Sequence, residues 1–243
     1  LKSIIAIDNN NVIAAGNYGK IIRSSNGGIT WTRYTIGTVD FNCADAFGND
    51  VWLGGSDGKV YKTTGVNSPL TGYSTGMTNI TCISFYSSAG GFACGNAGRI
   101  YRTIDGGLTW HLRNEGIPGS NLVFNAIDFL DGANGLVTGN NGALFITRSG
   151  GSNWLDYGPG TTKNLRSAKF LSTYNAFITG DGGVIRQFNG NPLFTTIKSR
   201  TTSDIRAISG TGANDIHIVG GGGFIRNNKN GSTEFMNFET NPM

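Results

Sequence analysis

A unit of about forty residues recurs six times along this 243-residue chain, and no other feature restricts the possible folds so strongly. Each copy holds a short apolar run closed by Gly, two loop residues, a second Gly, and a run with alternating apolar positions. The Gly-x-x-Gly units begin at Gly16, Gly55, Gly95, Gly139, Gly180 and Gly220, at steps of 39, 40, 44, 41 and 40 residues. The runs before the first Gly, such as VIAA at 12–15 and AFIT at 176–179, are rich in strand formers and too short for helices. So are those after the second, such as KIIRS and RIYRT. A Gly-flanked two-residue turn joins each pair into a hairpin. A further apolar run lies upstream of each unit, starting at Leu1, Phe41, Ile80, Phe124, Leu165 and Ile205, and an outer one follows around Trp31, Trp110 and Trp154.

Four strands per repeat predict an all-β fold, a six-bladed β-propeller of four-stranded antiparallel blades. The whole chain, 1–243, reads as one domain, with blades at approximately 1–38, 39–76, 77–119, 120–162, 163–202 and 203–243. Each copy runs from an inner strand to an outer one, the last at 233–238. The sequence therefore predicts a closed ring whose N-terminal strand is innermost in blade one.

A second signature sits between the third and fourth strands. The stretches from Ser24 to Trp31 and from Thr103 to Trp110 both fit Ser/Thr-x-Asp/Asn-Gly-Gly-x-Thr-Trp, and the stretch from Thr147 to Trp154 is a weaker copy. In such a turn the side chain of Asn26 or Asp105 caps backbone N–H groups, Gly supplies positive φ, and the Trp fills the gap between neighbouring sheets. Trp31, Trp110 and Trp154 are accordingly expected to be buried between blades. The other three repeats carry eroded turns, the last at 229–235.

The stretches from Ala14 to Trp31 and from Ala93 to Trp110 carry a composite pattern that resembles the Asp-box (BNR) repeat propellers. They look most like the Ycf48/HCF136-like branch of photosystem II assembly and stability factors. The resemblance implies the propeller fold. It names no activity, because Asp boxes also occur in sialidases, glucanases, sorting receptors and lectins.

Composition fits a binding scaffold: Gly is 39 of 243 residues and only 14% are charged. The net charge of +4 is spread thinly with no basic run, which argues against nucleic acid as a partner. No stretch approaches the roughly 20 apolar residues of a membrane span, so no membrane insertion is expected. An extracellular, cell-surface or periplasmic location is expected. Cys43 and Cys82 share an inner-strand column that elsewhere holds Ser or Ala, and Cys94 lies on the neighbouring strand. A Cys82–Cys94 disulfide is conceivable, with buried free thiols the favoured reading.

Catalysis is weighed by elimination, and no catalytic residue is assigned. Of the three glutamates, Glu115, Glu234 and Glu239, none has a matching Tyr and Arg constellation of the sialidase kind. Asp45 and Asp128 share an inner-strand column and are the best pair for a two-carboxylate glycosidase, but lining a wet channel is the favoured role for them. His111 and His217 stand apart, so neither a triad, a metal site nor any cofactor is implied.

The register does locate a binding surface. The column that opens the inner strands holds Lys2, Asn42, Thr81, Asn125, Arg166 and Arg206, and the hairpin loops on the same face hold Tyr18, Asp57, Asn141 and Asp181. If the ring closes, Lys2 neighbours Arg206, and three cations gather at the mouth with no carboxylate in their column. A noncatalytic protein-interaction module of a secreted, cell-surface or virion assembly, meeting an acidic partner, is the leading expectation. A lectin-like glycan-binding propeller is the alternative, and an Asp-box glycoside hydrolase the third.

Overall fold

The computed structural model describes residues 1–118, 121–158, 160–190, 194–212, 215–223, 225–227 and 236–237. Its strands form six four-stranded antiparallel sheets, each in simple sequence order from the axis outward. Blade one is Ser3–Ala6, Val12–Ala15, Lys20–Ser24 and Thr32–Thr35; blade two is Phe41–Phe47, Asp50–Gly55, Lys59–Thr64 and Thr71–Ser74. Blade three is Ile80–Phe85, Gly91–Gly95, Ile100–Thr103 and His111–Leu112; blade four is Phe124–Phe129, Gly135–Gly139, Leu144–Thr147 and Leu155–Asp156. Blade five is Leu165–Ser172, Asn175–Gly180, Ile185–Phe188 and Phe194–Thr196; blade six is Ile205–Gly212, Asp215–Gly220, Ile225–Asn227 and Met236–Asn237. The eroded turn expected at 229–235 and most of the outer strand expected at 233–238 lie outside the described residues, as do Glu234 and Glu239.

Alternation along each strand sends one set of side chains to each neighbouring blade, so the core is divided among the junctions. At the junction of blades two and three, the Trp52 and Phe85 rings stack with centroids 3.6 Å apart and Trp110 meets the Phe85 edge at 6.0 Å. The next junction repeats this with Phe92 on Phe129 at 3.6 Å and Trp154 at the Phe129 edge at 5.9 Å. Apolar clusters fill the one–two, four–five and five–six junctions in the same way. An Asp-box Trp thus packs backward, onto the preceding blade.

Two polar columns on the inner strands lace each blade to the next. Near the lower end, the Phe85 N–H donates to Asp45 Oδ2 (2.6 Å), Phe129 N–H to Ser84 Oγ (3.0 Å) and Phe170 N–H to Asp128 Oδ2 (2.6 Å). Near the upper end, Asn42 Nδ2 donates to Ile80 O (2.8 Å), Thr81 Oγ1 to Phe124 O (2.6 Å) and Asn125 Nδ2 to Leu165 O (2.9 Å). Cys82 and Cys94 face each other in register, yet all three cysteines are free thiols.

The N-terminal strand is innermost, as expected, but the ring is not closed. Inner strands pack on one another from blade one round to blade six, while among the described residues Ile205–Gly212 makes no comparable packing on Ser3–Ala6. Trp31 departs from expectation for the same reason: it is 37% exposed, against 9% for Trp110 and 1% for Trp154, because no blade lies behind blade one to cover it.

Candidate functional site at the upper mouth

The upper mouth of the arc is a hollow of about 590 Å³ lined by Asp40, Asn42, Ser56, Asn79, Thr81, Asn125, Arg166 and Arg206. Its floor is the upper lacing column, and Ser56 of the blade-two Gly-x-x-Gly hairpin stands beside it. In all these hairpins but that of blade two the third residue takes a left-handed conformation, with φ of 57° at Tyr18, 60° at Ala97 and 53° at Asn141. Side chains of the next blade hold them there: Tyr18 N–H donates to Asp40 Oδ1 (2.9 Å), Asn141 N–H to Asn164 Oδ1 (3.1 Å) and Gly182 N–H to Asp204 Oδ1 (3.0 Å). A short polar residue just before an inner strand therefore latches the preceding hairpin. Sequence reasoning missed this column, although Asp40, Asn79, Asn164 and Asp204 all occupy it.

Four of the expected site residues, Asn42, Asn125, Arg166 and Arg206, do line one hollow. Lys2 leans across from blade one, its Nζ 3.0 Å from Asn42 Oδ1 and 3.4 Å from Asp40 Oδ2. The others are drawn elsewhere. Asp57 accepts from the Tyr61 hydroxyl at 2.8 Å, Asn141 lines a separate hollow with Asp156 and Lys163, and Tyr18 stands exposed on its own turn.

The expectation of three cations without carboxylates is corrected, because loop carboxylates reach into the column. Asp181 accepts from Arg166 Nε and Asp40 pairs with Lys2. Burial works against ionisation of Asp181, yet hydrogen bonds from Arg166 and Asn164 bring its carboxyl below the ordinary range. The Tyr18 N–H, with Lys2 alongside, does the same for Asp40. Arg206 is exposed and has no hydrogen bond or ion pair among the described residues, and Asp204, two residues before it, accepts from the Gly182 N–H.

Asp45 and Asp128 lie on the lower lacing column, where each receives a main-chain N–H of the next blade, and Asp128 also pairs with Lys169 Nζ at 3.1 Å. Burial raises the Asp128 carboxyl and pushes Asp45 up to about 6, from 3.8. A raised carboxyl binds its proton in the folded chain at pH values where the unfolded chain has lost it, so stability falls as pH rises from about 4 to 6 and is level above. For Asp45 this amounts to about 2 kcal/mol. Asp45→Asn keeps an acceptor for the Phe85 N–H and is expected to remove that part of the decline, so urea midpoints at pH 4 and pH 7 should lie closer together in the variant. An unaltered difference would refute the assignment.

Comparison with known proteins agrees with this architecture. Residues 74–160 match a family model described as photosynthesis system II assembly factor YCF48. No curated protein matches the chain at a significant level. A solved structure of YCF48 bound to D1 peptide superposes with a TM-score of 0.77 at 16% identity, covering 96% of this chain and 79% of that one. YCF48 from Cyanidioschyzon merolae gives 0.76 at 16% identity, covering 98% and 84%. The structure of U3-55K gives 0.80 at 8% identity, covering 98% and 80%. Likeness at these identities is likeness of fold. The expected extracellular, cell-surface or periplasmic location is contradicted by these matches, which are to proteins described as YCF48, a photosystem II assembly factor. With six four-stranded blades, Asp-box turns and a matched segment spanning blades three and four, the chain is a six-bladed β-propeller that resembles the Ycf48-like BNR propellers.

Proposed function

We propose that this chain is a noncatalytic protein-binding propeller whose upper mouth receives a polar, acidic segment of a partner protein. One observation carries the reading: the column that opens the inner strands is architectural in blades two to four and changes character in blades five and six. Asn42, Thr81 and Asn125 each spend a donor on the next blade's main chain. At the equivalent positions Arg166 turns to a loop carboxylate, and Arg206 offers a full guanidinium to the hollow. A guanidinium in a polar concavity suits a carboxylate, and the surrounding amides suit a peptide main chain. The likeness to a YCF48 structure solved with a bound peptide supports the same use of the fold.

The test compares the chain with an Arg166→Ala, Arg206→Ala variant in titrations against a labelled acidic peptide and a neutral peptide of equal length, at low and high salt. The expected result is preference for the acidic peptide, affinity reduced about tenfold or more in the variant, and flattened salt dependence. Equal affinity of the two proteins for the acidic peptide overturns the proposal, as does loss of binding that only follows loss of folded protein.

A further inference from the structure

Arg166 and Arg206 occupy the same structural position in neighbouring blades, yet only Arg166 is paired. Each is the extra residue of a β-bulge: the pairing register slips between Leu165 and Ser167 in blade five and between Ile205 and Ala207 in blade six. A bulge re-aims the side chain that it carries, and here both arginines line the same hollow. Arg166 Nε donates to Asp181 Oδ1, whereas Arg206 has no hydrogen bond or ion pair among the described residues.

The difference lies in one position, the second residue of the Gly-x-x-Gly hairpin. Ser56, Asn140, Asp181 and Gly221 are equivalent there, because each main-chain N–H donates to the carbonyl of the residue that precedes its blade's inner strand. The acceptors are Asp40 O at 2.9 Å, Val123 O at 3.0 Å, Asn164 O at 2.9 Å and Asp204 O at 2.9 Å. In blades two and four the side chain at this position is architectural: Ser56 Oγ accepts the Asp40 N–H at 3.0 Å, and Asn140 Oδ1 accepts the Val123 N–H at 2.9 Å. In blade five the carboxylate does something else. Its Oδ2 accepts from Asn164 Nδ2 at 3.0 Å, which leaves Oδ1 for Arg166. Asn164 is itself tied to the Asn141 N–H at 3.1 Å, and the Asp181 side chain is 19% exposed against 40% for that of Arg166, so the acid is the anchored member of the pair. With Nε engaged, Arg166 has spent one of its bidentate edges and its charge is neutralised. Blade six carries Gly221 and has no side chain to offer. Space does not explain that glycine, since among the described residues a Cβ there would meet nothing closer than 3.9 Å.

We infer that this hairpin position sets how many guanidinium groups the mouth offers: Asp181 keeps Arg166 occupied, Gly221 leaves Arg206 free, and the hollow takes one carboxylate with no free cation for a second beside it. Asp181 and Gly221 are thus specificity determinants that act through the two arginines. This rests on the upper mouth being the seat of an acidic segment, and it adds how many adjacent acids that segment presents.

The test measures affinities for two end-blocked peptides of equal length, one with a single Glu and one with two adjacent Glu, in the unmodified chain, in Asp181→Asn and in Gly221→Asp. Asn at 181 keeps an acceptor for Asn164 Nδ2, and urea midpoints report whether each variant is folded. The unmodified chain is expected to bind the two peptides within about threefold of each other. Asp181→Asn is expected to raise the ratio of two-Glu to one-Glu affinity about fivefold or more, and Gly221→Asp to weaken the one-Glu peptide about fivefold or more. Both substitutions are repeated in the absence of the arginine concerned, Arg166→Ala for the first and Arg206→Ala for the second, and each effect is expected to vanish there. An effect that survives without its arginine is a general field of the added or removed charge and overturns the inference. So does an unmodified chain that already prefers the two-Glu peptide about fivefold or more, or a ratio that Asp181→Asn leaves unchanged. A chain that binds neither peptide overturns the upper-mouth reading and this inference together, whereas one-Glu binding that needs Arg206 with a ratio indifferent to Asp181 overturns this inference alone. Should Asp181→Asn not fold, Gly221→Asp decides by itself, at a position with room for a side chain.

Discussion

Replacing Trp154 by alanine is expected to destabilise the chain by about 4 kcal/mol, the usual cost of removing a large, fully packed aromatic. The side chain is 1% exposed, its ring meets the Phe129 edge at 5.9 Å, and its Nε1 donates to Arg113 O of the preceding blade at 2.8 Å. Truncation therefore opens a cavity and removes the Arg113 carbonyl's side-chain donor at once. The same replacement at Trp31 is expected to cost about 1 kcal/mol or less, because that ring is 37% exposed and its Nε1 bonds only to Gly28 O within its own turn. Urea denaturation of the two variants measures the contrast. Equal losses would mean that the Asp-box Trp works within its turn and not across the junction.

Gly58→Ala is expected to cost about 3 kcal/mol or more, combining left-handed backbone strain with overpacking. Gly58 has φ +75°, and a Cβ there would lie 1.8 Å from the Met77 carbonyl oxygen, on the segment that leads into blade three. The control is Gly65→Ala, where φ is +76° but nothing lies within 4 Å, so only the backbone strain of about 1–2 kcal/mol applies. A Gly58 variant no worse than the Gly65 variant in denaturant would show that the connecting segment can move away.

Much of the fold was legible because a propeller writes itself in the sequence once per blade. The Gly-x-x-Gly hairpins, the apolar runs and the innermost N-terminal strand all follow from local pattern and period. Closure was not legible. The residues that reveal the open junction, Ile4, Trp31 and Ile225, are as apolar as their counterparts, so sequence alone says that they want cover and not whether they have it. The mouth was half legible: a shared column brought Asn42, Asn125, Arg166 and Arg206 together. Which of them are occupied elsewhere depends on main-chain acceptors and donors about forty residues away. That Asp181 turns back to Arg166 rather than into solvent depends on a hairpin geometry that motif spacing does not encode. The inner-strand carboxylates Asp45 and Asp128, for which lining a wet channel was favoured over a catalytic pair, proved to be acceptors for neighbouring main-chain N–H groups for the same reason.

The unequal filling of the junctions has a consequence for cooperativity. Each blade touches only the blades beside it, so the stability of the arc is a sum of neighbour terms, as in a linear array of repeats. The terms are largest at blades two to four, where stacked aromatic pairs recur at 3.6 Å, and smaller toward blade six, whose outward columns face solvent. A ring spreads any local opening over its whole circumference, whereas an open array can lose its end unit and keep the rest. The terminal blades are therefore the fraying ends of this molecule, and blades two to four its folding anchor.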